Sequence, residues 1–178
     1  VSELVREFHK LMPNVPIWLG GPEVSFDARN ILDKQKEITG IMVGEGEETF
    51  LHLLRHYLEE DGYDDLSQIS GIVTGDNEYI KRSLLDMNTL PFLYEDLSIF
   101  ENRIIYYESS RGCPFRCSYC LSSVDKTVRV RDFSLVKKEL QYFLDHKVPQ
   151  VKFVDRTFNL MNHHNTELAI QIHQPDVL

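Results

Sequence analysis

Cysteine is nearly absent from this chain. Only three of its 178 residues are cysteines, and all three fall inside "SSRGCPFRCSYC", as Cys113, Cys117 and Cys120. An odd number in so short a stretch excludes the paired disulfide framework of a small secreted domain and points to a reducing compartment, read here as the cytoplasm. Long apolar runs are missing too. None approaches the ~18–20 residues of a membrane span, and the opening "VSELVREFHKLM" is charged and amphipathic, unlike a secretory leader. Basic charge is scarce in the first hundred residues, where 8 Lys and Arg stand against 19 Asp and Glu. That balance argues against a nucleic-acid partner. Residues 101–178 carry 11 basic residues against 9 acidic, and the change of sign divides the chain into two units. There is no GxGxxG run, so the dinucleotide fingerprint is absent.

What is present has the make-up of an ordinary globular protein, 42% hydrophobic and 26% charged, long enough for one full core or two partial ones. Val1, Leu4, Val5, Phe8, Leu11 and Met12 recur at helical spacing up to Pro13. "VPIWLGG" reads as a buried strand, Val15 to Leu19, closed by Gly20 and Gly21. A short helix is expected near "DARNILDKQKE", a second strand from Ile38 to Val43, and then a helix marked by Phe50, Leu53, Leu54, Tyr57 and Leu58. Alternation of this kind, with glycine at strand ends, predicts a parallel, doubly wound α/β sheet. "ISGIVTGDNEYIKR" predicts a hairpin around Gly75-Asp76-Asn77.

The second half predicts a strand, "RIIYYESS", running into the cysteine loop. A helix N-capped by Ser134 follows, then a strand from Val151 to Val154 and a last helix near Asn165. Strand, loop, helix, strand is the opening of a (β/α) barrel, in which function sits on loops after strand C-termini. The domains expected are 1–85, a connector at 86–103, and 104–178.

Three thiolates in one short loop converge at little closure cost. Closed zinc sites take a fourth Cys or His, and ferredoxin clusters use four cysteines. Three leave one metal position open, which is what catalysis requires. Other readings stand beside this one: a redox pair at Cys117 and Cys120, or a zinc site completed by His163 or His164. His52 and His56 share the i, i+4 spacing of a metal pair but lie off the apolar stripe of their helix.

"RGCPFRCSYC" resembles the CxxxCxΦC loop of the radical S-adenosylmethionine superfamily, and its setting resembles the subgroup with a cobalamin-binding domain. The resemblance implies an α/β chain, the C-terminal part of a Rossmann-like cobalamin-type domain followed by the first βα units of a radical barrel, from the interior of a longer protein. By it, Cys113, Cys117 and Cys120 hold a 4Fe–4S cluster whose fourth iron binds S-adenosylmethionine, and Tyr119 lies against the adenine. The "VKFVDRTFN" strand end would face the methionine part, with Asp155, Thr157 and Asn159 as polar candidates and Asp155 as ammonium acceptor. Gly20 and Gly21 would line the nucleotide tail of cobalamin, with Gly44 and Gly46 beside them. The earlier cobalamin loops of that subgroup have no counterpart in these residues. Arg111, Arg116 and the stretch Val128 to Arg131 offer charge for a cluster or carboxylate, or a plain polar edge. The implied activity is reductive cleavage of S-adenosylmethionine to a 5′-deoxyadenosyl radical, used for a cobalamin-dependent methyl transfer. The implied partners are a small-molecule substrate and a reductase, flavodoxin or ferredoxin electron donor. By itself a stretch of this extent is expected to be inactive, because most of the wall around a substrate is missing. An iron–sulfur electron-transfer module and a structural-zinc α/β domain are the competing functions.

Overall fold

The computed structural model describes residues 1–58, 63–121 and 127–158. The expected last helix near Asn165, and with it Asn159, His163 and His164, lies outside the described residues. The chain divides into two units, Val1–Leu85 and Asp86–Leu178.

The first unit opens in α1 (Ser2–Leu11), whose end is set where Met12 donates back to the Phe8 carbonyl and Pro13 has no N–H to continue. Of the apolar stripe only Val5 is buried; Leu4 and Leu11 stay exposed. β1 (Trp18–Gly20) pairs in parallel with β2 (Gly40–Met42), Leu19 opposite Ile41. Alternate side chains point to opposite faces of these strands. Leu19, Ile41 and Val73 pack with Val5, and with Ala28 and Leu32 of α3 (Ala28–Lys34). Trp18, Met42 and Ile72 turn the other way and meet Leu53 of α4 (Glu47–Leu58). The sheet is thus covered on both faces, as the doubly wound reading requires. Gly40 is dictated by this packing, because a Cβ there would sit 2.3 Å from the Trp18 ring.

Two expectations are corrected here. The third strand, β3 (Ile72–Thr74), pairs with β2 antiparallel, so the sheet is mixed. The chain reverses at Gly71, whose φ of +86° is glycine territory, and then runs back along β2. Nor does a second strand follow the Gly75-Asp76-Asn77 turn. Thr74 and Asn77 bond each other across it, and Arg29 of α3 donates to the carbonyls of Thr74, Gly75 and Asn77. A distant guanidinium satisfies the carbonyls that a partner strand would have taken.

In the second unit β4 (Ile105–Tyr107) and β7 (Val151–Phe153) are parallel neighbours, Tyr107 opposite Phe153. Between them in sequence lies α5 (Phe133–Asp145), whose Val136 and Phe143 are buried against Ile105 and Tyr107. Its N-cap is Asp132 and not Ser134: the Asp132 carboxylate accepts from the Ser134 and Leu135 N–H groups. A full negative charge meets the positive end of the helix two residues earlier than the Ser134 hydroxyl would. The stretch expected as a connector packs on this unit, where Phe92, Tyr94 and Phe100 join Tyr142 and Phe143 in edge-on ring contacts. A two-stranded antiparallel ladder, β5 (Ser110–Arg111) with β6 (Arg129–Val130), pairs Ser110 with Val130 and Arg111 with Arg129.

Candidate metal and cofactor site

The cysteine loop is what β5 and β6 enclose. Four devices fix its base. The ladder itself is extended by Arg131 N–H donating to the Ser109 carbonyl at 2.9 Å. Gly112 has a φ of +100°, and a Cβ on it would lie 2.1 Å from the Thr127 carbonyl oxygen, so no other residue fits. Asp155, two residues past β7, accepts from the Ser109 and Ser110 N–H groups at 2.8 and 2.9 Å and from the Ser109 hydroxyl at 2.5 Å. Burial pushes the Asp155 carboxyl up, while those three bonds pull it the other way. The fourth is the guanidinium of Arg131, buried with Glu139 of α5 at 2.6 Å. It also donates to the Met87 and Leu90 carbonyls, and Tyr107 gives its hydroxyl proton to the same Glu139. Burial and that carboxylate raise the Tyr107 phenol far above its ordinary value.

Beyond the base the loop is open. Cys113 and Cys120 are half-buried, Cys117 is exposed, and all three thiols are free of disulfides. The Cys120 N–H donates to the Cys117 carbonyl at 3.1 Å, so these two cysteines bracket a single turn. Cys113 leans the other way, its sulfur 3.2 Å from the Thr157 hydroxyl. Tyr119 is 91% exposed and Phe115 57%. Among the described residues no three His, Cys, Asp or Glu side chains are gathered as around a metal ion. The donor chemistry nevertheless fits an iron–sulfur cluster: three thiols on one loop at a strand's end, able to converge by rearrangement above a fixed base.

The other sequence candidates fall in distinct places. Gly20 closes β1, and Gly21, with φ +102°, precedes the short helix α2 (Pro22–Ser25). Gly44, with φ +83°, follows β2. Because β1 and β2 are parallel, both turns stand at strand C-termini, where open α/β sheets take their ligands. Ser25 ties them, its hydroxyl donating to the Gly21 carbonyl at 2.8 Å and accepting from Gly44 N–H at 3.3 Å. A Cβ on Gly21, Gly44 or Gly46 would meet nothing within 4 Å, so space lies open there for an incoming group. Arg111 is paired with Glu108 at 2.7 Å, and Arg116 is exposed. The histidines at 52 and 56 both contact Tyr63, His52 Nδ1 at 3.1 Å from its hydroxyl and His56 through its carbonyl. Arg82 donates to His52 Nδ1 at 3.0 Å and holds Glu48 at 3.1 Å. Burial and the Arg82 charge lower the His52 pKa.

Sequence reasoning missed Ser109, Ser110, Gly112 and the Arg131–Glu139 pair. The signal within reach was local: "SSRG" directly precedes the first cysteine, and small residues there mean a backbone that something else approaches.

Solved cobalamin-dependent S-adenosylmethionine radical enzymes share this fold. The chain superposes on OxsB, solved with aqua-cobalamin and S-adenosylmethionine bound, with TM-score 0.68 and 21% identity over 94% of this chain and 25% of that one. It superposes on TsrM from Kitasatospora setae, solved with cobalamin and a [4Fe-4S] cluster, with TM-score 0.63 and 18% identity over 96% of this chain and 36% of that one. In sequence it is 27% identical over 179 residues to the cobalamin-dependent radical SAM methyltransferase TokK of Streptomyces tokunonensis, covering 90% of this chain and 25% of that protein. It is 26% identical over 156 residues to the anaerobic magnesium-protoporphyrin IX monomethyl ester cyclase of Cereibacter sphaeroides, covering 79% and 25%. No family model matches. The resemblance carried by the cysteine loop therefore holds: a cobalamin-dependent radical SAM methyltransferase is among the relatives of this chain, and a cobalamin-dependent S-adenosylmethionine radical enzyme among its structural neighbours. The chain spans about a quarter of the length of these curated relatives. No helix among the described residues is long and apolar enough to cross a membrane.

Proposed function

We propose that this chain is the part of a radical S-adenosylmethionine enzyme that holds its iron–sulfur cluster and contacts its cofactors. Cys113, Cys117 and Cys120 would be the ligands of a 4Fe–4S cluster. When bound, the cluster would supply the electron that cleaves S-adenosylmethionine to a 5′-deoxyadenosyl radical, in the service of a methyl transfer that uses cobalamin. The observation that carries this reading is the loop itself: three cysteines outside any disulfide and no other cysteine in the sequence, set beyond a strand end on a fixed base. The residues of the chain divide the work around it. The β5–β6 ladder and Gly112 confine rearrangement on metal loading to the loop between them. Phe115 and Tyr119 would supply apolar surface to keep water from the cluster, and Tyr119 would meet the adenine. Gly20 and Gly21 would let the cobalamin tail approach bare backbone. A reductase, flavodoxin or ferredoxin would deliver the electron, and the cytoplasm would keep the thiols reduced.

Anaerobic reconstitution of the full chain with iron and sulfide tests this. About four iron per chain, lost when all three cysteines are changed to alanine, together with an electron paramagnetic resonance spectrum altered by S-adenosylmethionine, is the expected result. About one zinc per chain and no iron would defeat it.

A further inference from the structure

The contact between Thr157 and Cys113 joins two segments that are each immobilised for other reasons. On one side, Cys113 follows Gly112, which is pressed against the Thr127 carbonyl, and the ladder of β5 with β6. On the other, Thr157 sits in a turn pinned at both ends. Before it, Val154 N–H donates to the Tyr107 carbonyl at 2.9 Å and Asp155 grips Ser109 and Ser110. After it, the Phe158 ring packs at a tilt against Phe153, centroids 4.7 Å apart, within the aromatic core. The 3.2 Å contact between hydroxyl oxygen and sulfur is made by two short side chains whose neighbouring backbone is held on both sides.

As long as Cys113 is a thiol, either atom can donate. A thiolate bound to iron has no proton, so the hydroxyl must then be the donor. We propose, resting on the reading of Cys113 as a cluster ligand, that Thr157 is a positioning residue that donates a hydrogen bond to the Cys113 sulfur and thereby sets the reduction potential of the cluster. Reduction adds negative charge that is shared with the ligand sulfurs, and a donor stabilises the more negative state, which raises the potential. Ser109 and Asp155 play no part in the bond, but they hold the strand end that presents it.

The test compares the full chain with Thr157→Val and Thr157→Ser after anaerobic loading with iron and sulfide, reading iron content and midpoint potential by a redox titration followed by electron paramagnetic resonance. Valine preserves the shape and removes the donor, while serine keeps it. Expected is equal iron in all three. The T157V potential should fall by the equivalent of roughly a tenfold change in the reduction equilibrium, about 59 mV for one electron, with T157S close to the parent. Iron lost from T157V but kept by T157S also supports the proposal, since only the hydroxyl separates them in function. Equal potentials in parent and T157V at full loading overturn it and leave the cluster reading intact. Iron lost from both variants overturns it as well, because the hydroxyl is then not what matters. A parent chain that takes up no iron overturns the reading beneath it, and the inference falls with that reading.

Discussion

The base and the tip of the cysteine loop are a few residues apart and obey opposite rules. At the base the key polar groups are tied down: Asp155 takes three donors, Arg131 spans Glu139 and two carbonyls, and Gly112 lies against bare backbone. At the tip Cys117, Phe115 and Tyr119 face solvent. On the proposed reading the tip would carry the chemistry and little stability, and the base stability and no chemistry of its own. Substitutions should sort accordingly, and a residue that crosses over would break the division.

The largest effect is expected at Arg131. Its guanidinium is 5% exposed and faces a Glu139 that is 7% exposed, so Arg131→Met leaves a buried carboxylate without its counter-charge. Breaking such a pair costs about 3–5 kcal/mol. Chemical denaturation monitored by circular dichroism should show that loss. The double variant Arg131→Met with Glu139→Leu should recover most of it, since removing both charges removes the penalty. A double variant as unstable as the single one would mean that the carbonyl contacts to Met87 and Leu90 matter more than the pair.

Next comes Gly112→Ala. A Cβ at 2.1 Å from a carbonyl oxygen, on a backbone with φ of +100°, forces the strand pair apart. Left-handed strain and overpacking together cost about 3 kcal/mol. The same substitution at Gly44, which also has positive φ but open surroundings, should cost only the strain portion. Melting temperatures of the two variants measure the difference, and equal losses would show that the Thr127 contact is not what demands glycine.

These two sites also mark how far the sequence could be read. The cysteine loop, the two apolar strands of the first unit and the helices around them are written locally, in spacing and in glycine at strand ends. Arg131 is not, because its meaning depends on Glu139, nearly two turns into the next helix, and on carbonyls more than forty residues away. The turn at Gly75 misled for the same reason: its sequence has hairpin chemistry, but Arg29 reaches it from α3 and takes the carbonyls. β3 turned antiparallel because of a reversal at Gly71 that periodicity does not record. Asp132 displaced Ser134 as the cap because either residue satisfies the local pattern, and only the charge at the helix end decides between them.

Asp155 tests the boundary from the side of the base. Its carboxylate holds Ser109 and Ser110, and Asp155→Ala strands two N–H donors and a hydroxyl in a half-buried place. A loss of about 2 kcal/mol follows. If Asp155 acted mainly as an acceptor for a cofactor's ammonium group, the apo chain would lose little on this substitution and only cofactor binding would suffer. Thermal melts of the apo chain separate the two roles.

The smallest effect on stability, and the sharpest contrast with the base, belongs to the tip. Tyr119→Ala and Cys117→Ser remove side chains that solvent already surrounds, so both should melt within about 0.5 kcal/mol of the parent, as surface changes do. Their consequences should appear only on loading. C117S should fail to retain a full complement of iron, because an oxygen replaces one of three sulfur donors and the loop has no spare cysteine. Y119A should keep its iron and lose the spectral change on adding S-adenosylmethionine, since its ring stands in the loop where an adenine would be covered. A tip variant that lost several kcal/mol before any metal was added would mean that the loop folds as a structural unit, and the separation of chemistry from support would no longer hold.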